Sequence, residues 1–306
     1  MDWKLLRIET LGEENKTILP PDIKLPALPK AVMEFSQKAD DPDATNKQLG
    51  SIIESDAGLT AELLKYINSS AIGMKKQISS TSQAIGLIGI QPTKQHLLVT
   101  AASNMMKSCN SKLINFQVFW NTNYERALFA REIALLLKTD ADVAFAGALL
   151  QDFVLPILTN ERFEEYLGYT TREESSTAEL TTYEDEKLGW NHTLVAAYLM
   201  TAWGFSDELI CMVMLHHRGL KVLADPNLRQ TPAAAVALSA LMPDPLHQVP
   251  TGLNQLVRLD QSWQPFELLE IAQRVQTTLD EEAPIKATNH ISFLRRVEKV
   301  CVAEEK

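Results

Sequence analysis

Asp56-Ala57-Gly58-Leu59-Thr60-Ala61-Glu62-Leu63-Leu64-Lys65-Tyr66-Ile67 places apolar residues three and four positions apart, at Leu59, Leu63, Tyr66 and Ile67. That interval brings side chains onto one face of a 3.6-residue helix, and an aspartate just ahead of it can accept from the open amides of the first turn. Gly73 stands just past the expected end, where a residue free to adopt positive φ often stops a helix. Leu49, Ile52 and Ile53 mark a shorter helix before it. After it come Ser80, then Ala84, Leu87 and Ile88, then Gly89 as a stop. Pro92 opens the next helix, at a position where a missing N–H costs nothing.

The same spacing recurs along most of the chain and strand-like alternation is scarce, so the predicted fold class is all-α. A long helix runs through Phe119, Trp120, Tyr124, Ala127 and Leu128, and another from Asp140 to about Asp152. Helical pattern returns from His192 to Trp203, breaks at Gly204, and resumes behind Ser206, a candidate cap, as far as His217. The acidic, Thr-rich segment from Glu161 to Glu186 reads as part helix and part loop. At least three more helices are expected after Pro232, and in the last Phe293, Val297, Val300 and Cys301 line one face. With a boundary at the polar stretch Asn110 to Lys112, the chain divides into an extension (1–20), two helical halves (21–110 and 111–225) and a C-terminal helical extension (226–306).

Of the 306 residues 45% are hydrophobic and 22% charged, the mixture of an ordinary globular protein. Apolar runs such as Ala127 to Ala130 and Ala144 to Leu150 fall far short of the roughly 20 residues of a spanning helix. Asp2 and Glu9 stand where a signal peptide carries only cations, so no membrane span and a cytoplasmic location are expected. Cys109, Cys211 and Cys301 are odd in number and widely spaced, which suggests neither a disulfide framework nor a thiolate zinc site. Asp and Glu outnumber Lys and Arg, 39 to 29, and no basic patch with interleaved aromatics is present. Nucleic-acid binding is therefore not expected, and the helix, Gly turn, helix pattern around Gly89 reads as ordinary bundle packing rather than a DNA-binding motif.

No phosphate loop, nucleophile elbow or H-E-x-x-H helix is present. Asp152 at the end of one helix, His192 at the start of another and His216-His217 closing a third are what remain. Imidazoles and carboxylates on facing helices are how a bundle fixes metal ions. Taken as residue types alone they fit structural duties better: a cap-like contact for His192, and a cation at a helix C-terminus for His216-His217.

Leu25-Pro26-Ala27-Leu28-Pro29, Asp40-Asp41-Pro42-Asp43-Ala44 and Ile53-Glu54-Ser55-Asp56-Ala57-Gly58-Leu59-Thr60 together resemble the opening of the HDOD domain, the HD-related output domain of bacterial signalling proteins. Leu64 to Ser70 and Ile78 to Gly89 follow the same pattern. So do Phe119-Trp120, Ala146 to Asp152, Glu184 to His192, Trp203-Gly204-Phe205 and His216-His217. The similarity covers roughly Pro21 to Arg218 and implies a bundle of two helical subdomains, the second HD-like.

HDOD domains are similar to HD phosphohydrolases, in which an adjacent His-Asp pair, an earlier His and a later Asp hold a divalent metal. The resemblance puts Gln151 where the HD histidine would be, Thr122 at the earlier histidine and Val236-Ala237-Leu238-Ser239-Ala240, without an acid, near the later aspartate. It thus implies a vestigial pocket of Thr122, Gln151, Asp152, His192, His216 and His217, with no catalytic residue and no tightly held metal or other cofactor expected. Asp152, His192, His216 and His217 are the set a divalent ion would have to use. Asp152 is expected to accept hydrogen bonds or to pair with a nearby histidine and raise its pKa.

Three functions follow from this reading. The first is a non-catalytic signalling module acting through protein partners, a second copy of the chain among them. The second is a residual metal-dependent phosphohydrolase. The third is a nucleotide or anion sensor using the old pocket, with Arg218 as its nearby cation.

Overall fold

A computed structural model describes residues 1–12, 23, 27–69, 77–108, 111–173, 176–282 and 291–304, and among them every regular element is helical. In chain order the helices are α1 (Trp3–Leu11), α2 (Lys30–Ala39), α3 (Asn46–Glu54), α4 (Ala57–Ile67), α5 (Thr81–Ile88) and α6 (Ile90–Ser108). Then follow α7 (Phe116–Leu137), α8 (Ala141–Leu150), α9 (Leu155–Glu161), α10 (Phe163–Thr170), α11 (Leu180–Leu188), α12 (His192–Trp203) and α13 (Asp207–Leu215). A 3-10 turn, His216–Arg218, leads to α14 (Lys221–Ala224), α15 (Pro232–Ser239), α16 (Gly252–Ser262), α17 (Leu268–Glu282) and α18 (Phe293–Glu304). Gly73, Cys109 and Asn110 lie outside the described residues, as does the side chain of Cys301.

The chain forms two compact units. One comprises Leu25–Ser108 with Ala202–Ser206; the other comprises Met1–Lys24, Cys109–Thr201 and Asp207–Lys306. The segment 226–306, set apart as an extension on sequence, thus belongs to the same unit as α7 and α8.

In the first unit the helix starts are written in side chains. Asp56 Oδ1 accepts from the amides of Gly58 and Leu59 at 2.9 and 3.1 Å, and Ser80 accepts from the Gln83 amide. Thr45 and Gln48 form a reciprocal capping box at the start of α3. Leu59, Leu63 and Ile67 are buried, together with Leu49 and Ile53. Tyr66 departs from the expected face: it is exposed at the rim and stacks on the His96 ring, centroids 4.0 Å apart. Leu87 is also exposed, because the inward stripe of α5 runs through Thr81, Ala84 and Ile85 and leaves Leu87 about a third of a turn away. Gly89, at φ +92°, ends α5, and Pro92 occupies the first turn of α6, where the amides have no intrahelical partner.

In the second unit α7 packs against α8, α15 and α17. Gly147 lets α8 approach closely, since a Cβ there would stand 2.8 Å from Met212 Cβ on α13 and 3.1 Å from Val236 on α15. The stretch Ala141–Glu161 is long and apolar enough, by length and composition, to cross a membrane. It is built instead as two helices broken by a turn at 151–154, and 72% of its most apolar window is buried inside the fold. The segment from Glu161 to Glu186 contributes α10 and the start of α11, and the described residues between them are irregular. On α18, Phe293 and Val297 are buried and the Phe293 ring meets Phe129 of α7 edge-on at 5.4 Å.

Candidate functional site

The turn that breaks α8 from α9 carries Asp152 into the interior of the second unit, where it is fully buried. His192 opens α12. Its backbone amide donates to Glu184 Oε2 at 3.1 Å and its ring Nδ1 meets the same oxygen at 2.7 Å, so Glu184 both caps the helix and orients the imidazole. Tyr166 Oη donates to the other oxygen of Glu184. His216 lies in the 3-10 turn after α13, with Nδ1 2.6 Å from the Val213 carbonyl.

These partners fix the tautomers. A carbonyl and a carboxylate can only accept, so Nδ1 donates in both rings, and in the neutral imidazoles Nε2 carries a bare lone pair. The two Nε2 atoms stand 3.3 Å apart, and each faces Asp152 Oδ1, at 3.5 Å from His192 and 3.4 Å from His216. Those separations lie beyond a good N–H···O bond, and Oδ1 has no hydrogen-bond partner. His217 follows the same pattern: Gln248 gives its amide NH2 to Asp152 Oδ2 at 2.8 Å, so its carbonyl oxygen accepts from His217 Nε2 at 3.1 Å. Nδ1 of His217 is left bare and buried. One ligand atom from each of Asp152, His192, His216 and His217 lies within 4.8 Å of every other.

The opposite oxygen of Asp152 belongs to Arg126 of α7. Its Nη1 donates to Oδ2 at 2.6 Å, while Nη2 donates to the Met242 carbonyl at 2.9 Å and meets Asp244 Oδ2 at 3.3 Å. Asp244 is held in turn by the amides of Leu246 and Gln248, at 2.8 and 3.0 Å.

Electrostatics follows from this packing. Burial works against the charge of Asp152, but the two histidines and Arg126 overcome it and hold the carboxyl well below its ordinary 3.8. Burial would also depress His192, yet Glu184 and Asp152 raise it to about 10. His216 is lowered by burial despite Asp152, and His217 lies well below its ordinary value through burial and its two histidine neighbours. Asp152 thus pushes both histidines up, as expected of it, but at His216 burial outweighs that push, and at His192 Glu184 adds the larger share.

The six residues of the predicted pocket do not act together. Asp152, His192, His216 and His217 converge, whereas Thr122 donates back to the Val118 carbonyl at 2.9 Å. Gln151 Oε1 lies 3.5 Å from Ser239 Oγ, and its amide nitrogen has no partner. Of the HD-type ligands only Asp152 is in place, so that arrangement does not fit a metal; three imidazoles and one carboxylate oxygen do make a donor set suited to a single ion. Sequence reasoning missed Arg126, Glu184, Asp244 and Gln248. A signal existed for one of them, since Glu184 stands in the block that ends at His192; Arg126 does not stand out, being one of five polar residues that α7 buries, with Asn121, Thr122, Asn123 and Glu125. A cavity of about 170 Å³ adjoins the cluster, lined among others by His216, His217, Arg218, Lys221 and Gln255.

Comparison with known proteins finds the HDOD domain over residues 25–219. An uncharacterized protein of Treponema pallidum is 22% identical over 263 residues, which is 84% of this chain and 50% of that protein, so the chain spans about half the length of this relative. Among solved structures, an HDOD domain protein of unknown function from Geobacter sulfurreducens superposes with a TM-score of 0.56 at 19% identity, covering 91% of this chain and 95% of that one. A Shewanella amazonensis protein named only provisionally as a phosphohydrolase gives 0.58 at 19% identity, covering 83% and 91%. A Marinobacter aquaeolei protein, named provisionally for signal transduction, gives 0.51 at 18% identity over 92% and 64%. The helical blocks quoted from the sequence and this match over most of the chain have one meaning: the protein belongs to the HDOD family.

Proposed function

We propose that the chain is a regulatory module of bacterial signalling that works through contacts with other proteins, in the cytoplasm, and does not hydrolyse phosphate esters. The observation that carries this reading is the Arg126 guanidinium on Asp152 Oδ2. Hydrolysis by a bound dication needs an open coordination position at which phosphate and water meet. Here the HD aspartate is buried, its outer oxygen is committed to a fixed cation, and the HD histidine is Gln151. The match to the HDOD domain supports a regulatory role, and partners, a second copy included, follow from that role rather than from any site.

The test has two parts. Turnover of nucleotide and cyclic-dinucleotide substrates is measured with added manganese, and cross-linking in cells is read for a signalling protein contacting a mapped surface. Absence of turnover with a reproducible partner supports the reading; turnover abolished by Asp152→Asn overturns it.

A residual metal-dependent phosphohydrolase is the second reading. The cavity beside His216 and His217 favours it, because Arg218 and Lys221 in its wall suit a phosphate group. A divalent ion bound there would polarise the phosphate and supply a hydroxide.

A further inference from the structure

We infer that Asp152, His192, His216 and His217 form a closed site for one transition-metal dication of the zinc class, with the Arg126 guanidinium standing where a second cation would otherwise share Asp152. The inference goes beyond the regulatory reading, which stands even if the site binds no ion.

Geometry is the first support. Ligand atoms about 2.0–2.1 Å from a tetrahedral ion sit roughly 3.3–3.4 Å from one another. The triangle of His192 Nε2, His216 Nε2 and Asp152 Oδ1 has edges of 3.3, 3.4 and 3.5 Å. Three lone pairs at that spacing with no donor between them repel, unless a cation or a proton lies among them. A proton on His192 satisfies one edge, the contact to His216, and leaves Oδ1 without a linear partner. An ion satisfies all three edges, and His217, with a ring nitrogen within 4.8 Å of the other three ligand atoms and its Nδ1 buried and unpartnered, would close in as the fourth ligand.

The surrounding shell points the same way. Glu184 on His192, Val213 on His216 and Gln248 on His217 each accept from the ring nitrogen that does not face the cluster, which is how metal-bound imidazoles are held. Charge agrees as well. Asp152 and Asp244 share Arg126, and Glu184 faces His192, so with neutral histidines this network of three carboxylates and one guanidinium is short of two positive charges, which one dication supplies. Three imidazoles select zinc, cobalt or nickel over magnesium or calcium, which prefer oxygen. With Oδ2 engaged by Arg126 and Gln248, Asp152 cannot bridge to a second ion. Four protein ligands leave no open position, the mark of a structural rather than a hydrolytic centre.

The test uses the full chain, stripped with chelator and titrated with cobalt(II) and with zinc. One equivalent per chain is expected, with the intense visible bands of four-coordinate cobalt and a rise in Tm on zinc addition. His217→Ala, at the least buried ligand, should shift the cobalt spectrum toward higher coordination. Glu184→Gln keeps all four ligands and should weaken binding by about 10–100-fold. Should His217→Ala fail to fold, Glu184→Gln carries the test alone. No bound ion, two equivalents, octahedral cobalt, or binding indifferent to these substitutions would each overturn the inference. Turnover by the loaded protein would overturn both the regulatory reading and the closed, four-ligand site, whereas loss of metal binding would overturn the inference alone.

Discussion

The two units handle charge in opposite ways. In the unit built from Leu25–Ser108, ion pairs reach the rim: Lys94 is buried but meets Asp40, which is 61% exposed, at 2.9 Å, and the Lys38–Asp41 pair is more than a third exposed on both sides. In the other, Arg126, Asp152, Asp244, Glu184, His192 and His216 are all buried and joined in one network. Exposed pairs contribute little because water and salt screen them, whereas a buried charge deprived of its partner has nothing to replace it. The first unit should therefore tolerate loss of its charges, and the second should not.

The sharpest way to break this contrast is Arg126→Met, which leaves Asp152 and Asp244 uncompensated. It should cost about 3–5 kcal/mol in urea unfolding. A loss under about 1 kcal/mol would mean that the network is not what holds the second unit together.

Acid comes next. In metal-free protein His216 and His217 are held below their ordinary 6.5 and His96, in the first unit, at about 4, so folding requires them neutral. Their unfolded forms bind protons first, and stability should fall as the pH drops below about 6.5, down to about 4 for His96. His192 has the opposite sign: raised to about 10, it stabilises fully below 6.5 and loses that contribution as the pH climbs through 10. His96→Phe, keeping a ring against Tyr66, should remove on the order of 2 kcal/mol of the acid-side loss. An unchanged acid limb in that variant would assign the whole loss to the second unit.

Smaller effects sharpen the other side. Asp56→Ala removes the cap of α4 and should cost about 1 kcal/mol by thermal unfolding. Asp40→Ala should cost under about 1 kcal/mol, and less still in high salt. An Asp40 effect as large as that of Arg126 would erase the distinction.

What the sequence discloses follows the same division. Caps and stops act over three or four residues, so Asp56, Ser80 and Gly89 could be read directly, as could the blocks shared with HDOD domains. Tyr66 and Leu87 obeyed the helical interval yet turned outward, because periodicity finds a face but not its edges. The cluster was half legible. Asp152, His192, His216 and His217 stood out as residue types, but Arg126 reaches Asp152 across 26 residues, Gln248 across 96 and Asp244 reaches Arg126 across 118. Asp244 lies just past the stretch Val236 to Ala240, near which the resemblance implies an acid. Thr122 and Gln151, placed in the pocket by resemblance, stay apart from the cluster, and Thr122 donates to its own helix instead.

The short stretch Ala202–Ser206 belongs with the N-terminal helices, although the chain on both sides of it belongs to the other unit. A Cβ at Gly204 would lie 3.5 Å from Ser36 Oγ, and its backbone, at φ +77°, makes the excursion possible. The two units are thus interleaved along the gene: residues 25–108 expressed alone would lack part of their own packing, and the remainder would keep a loop evolved for a surface it no longer has.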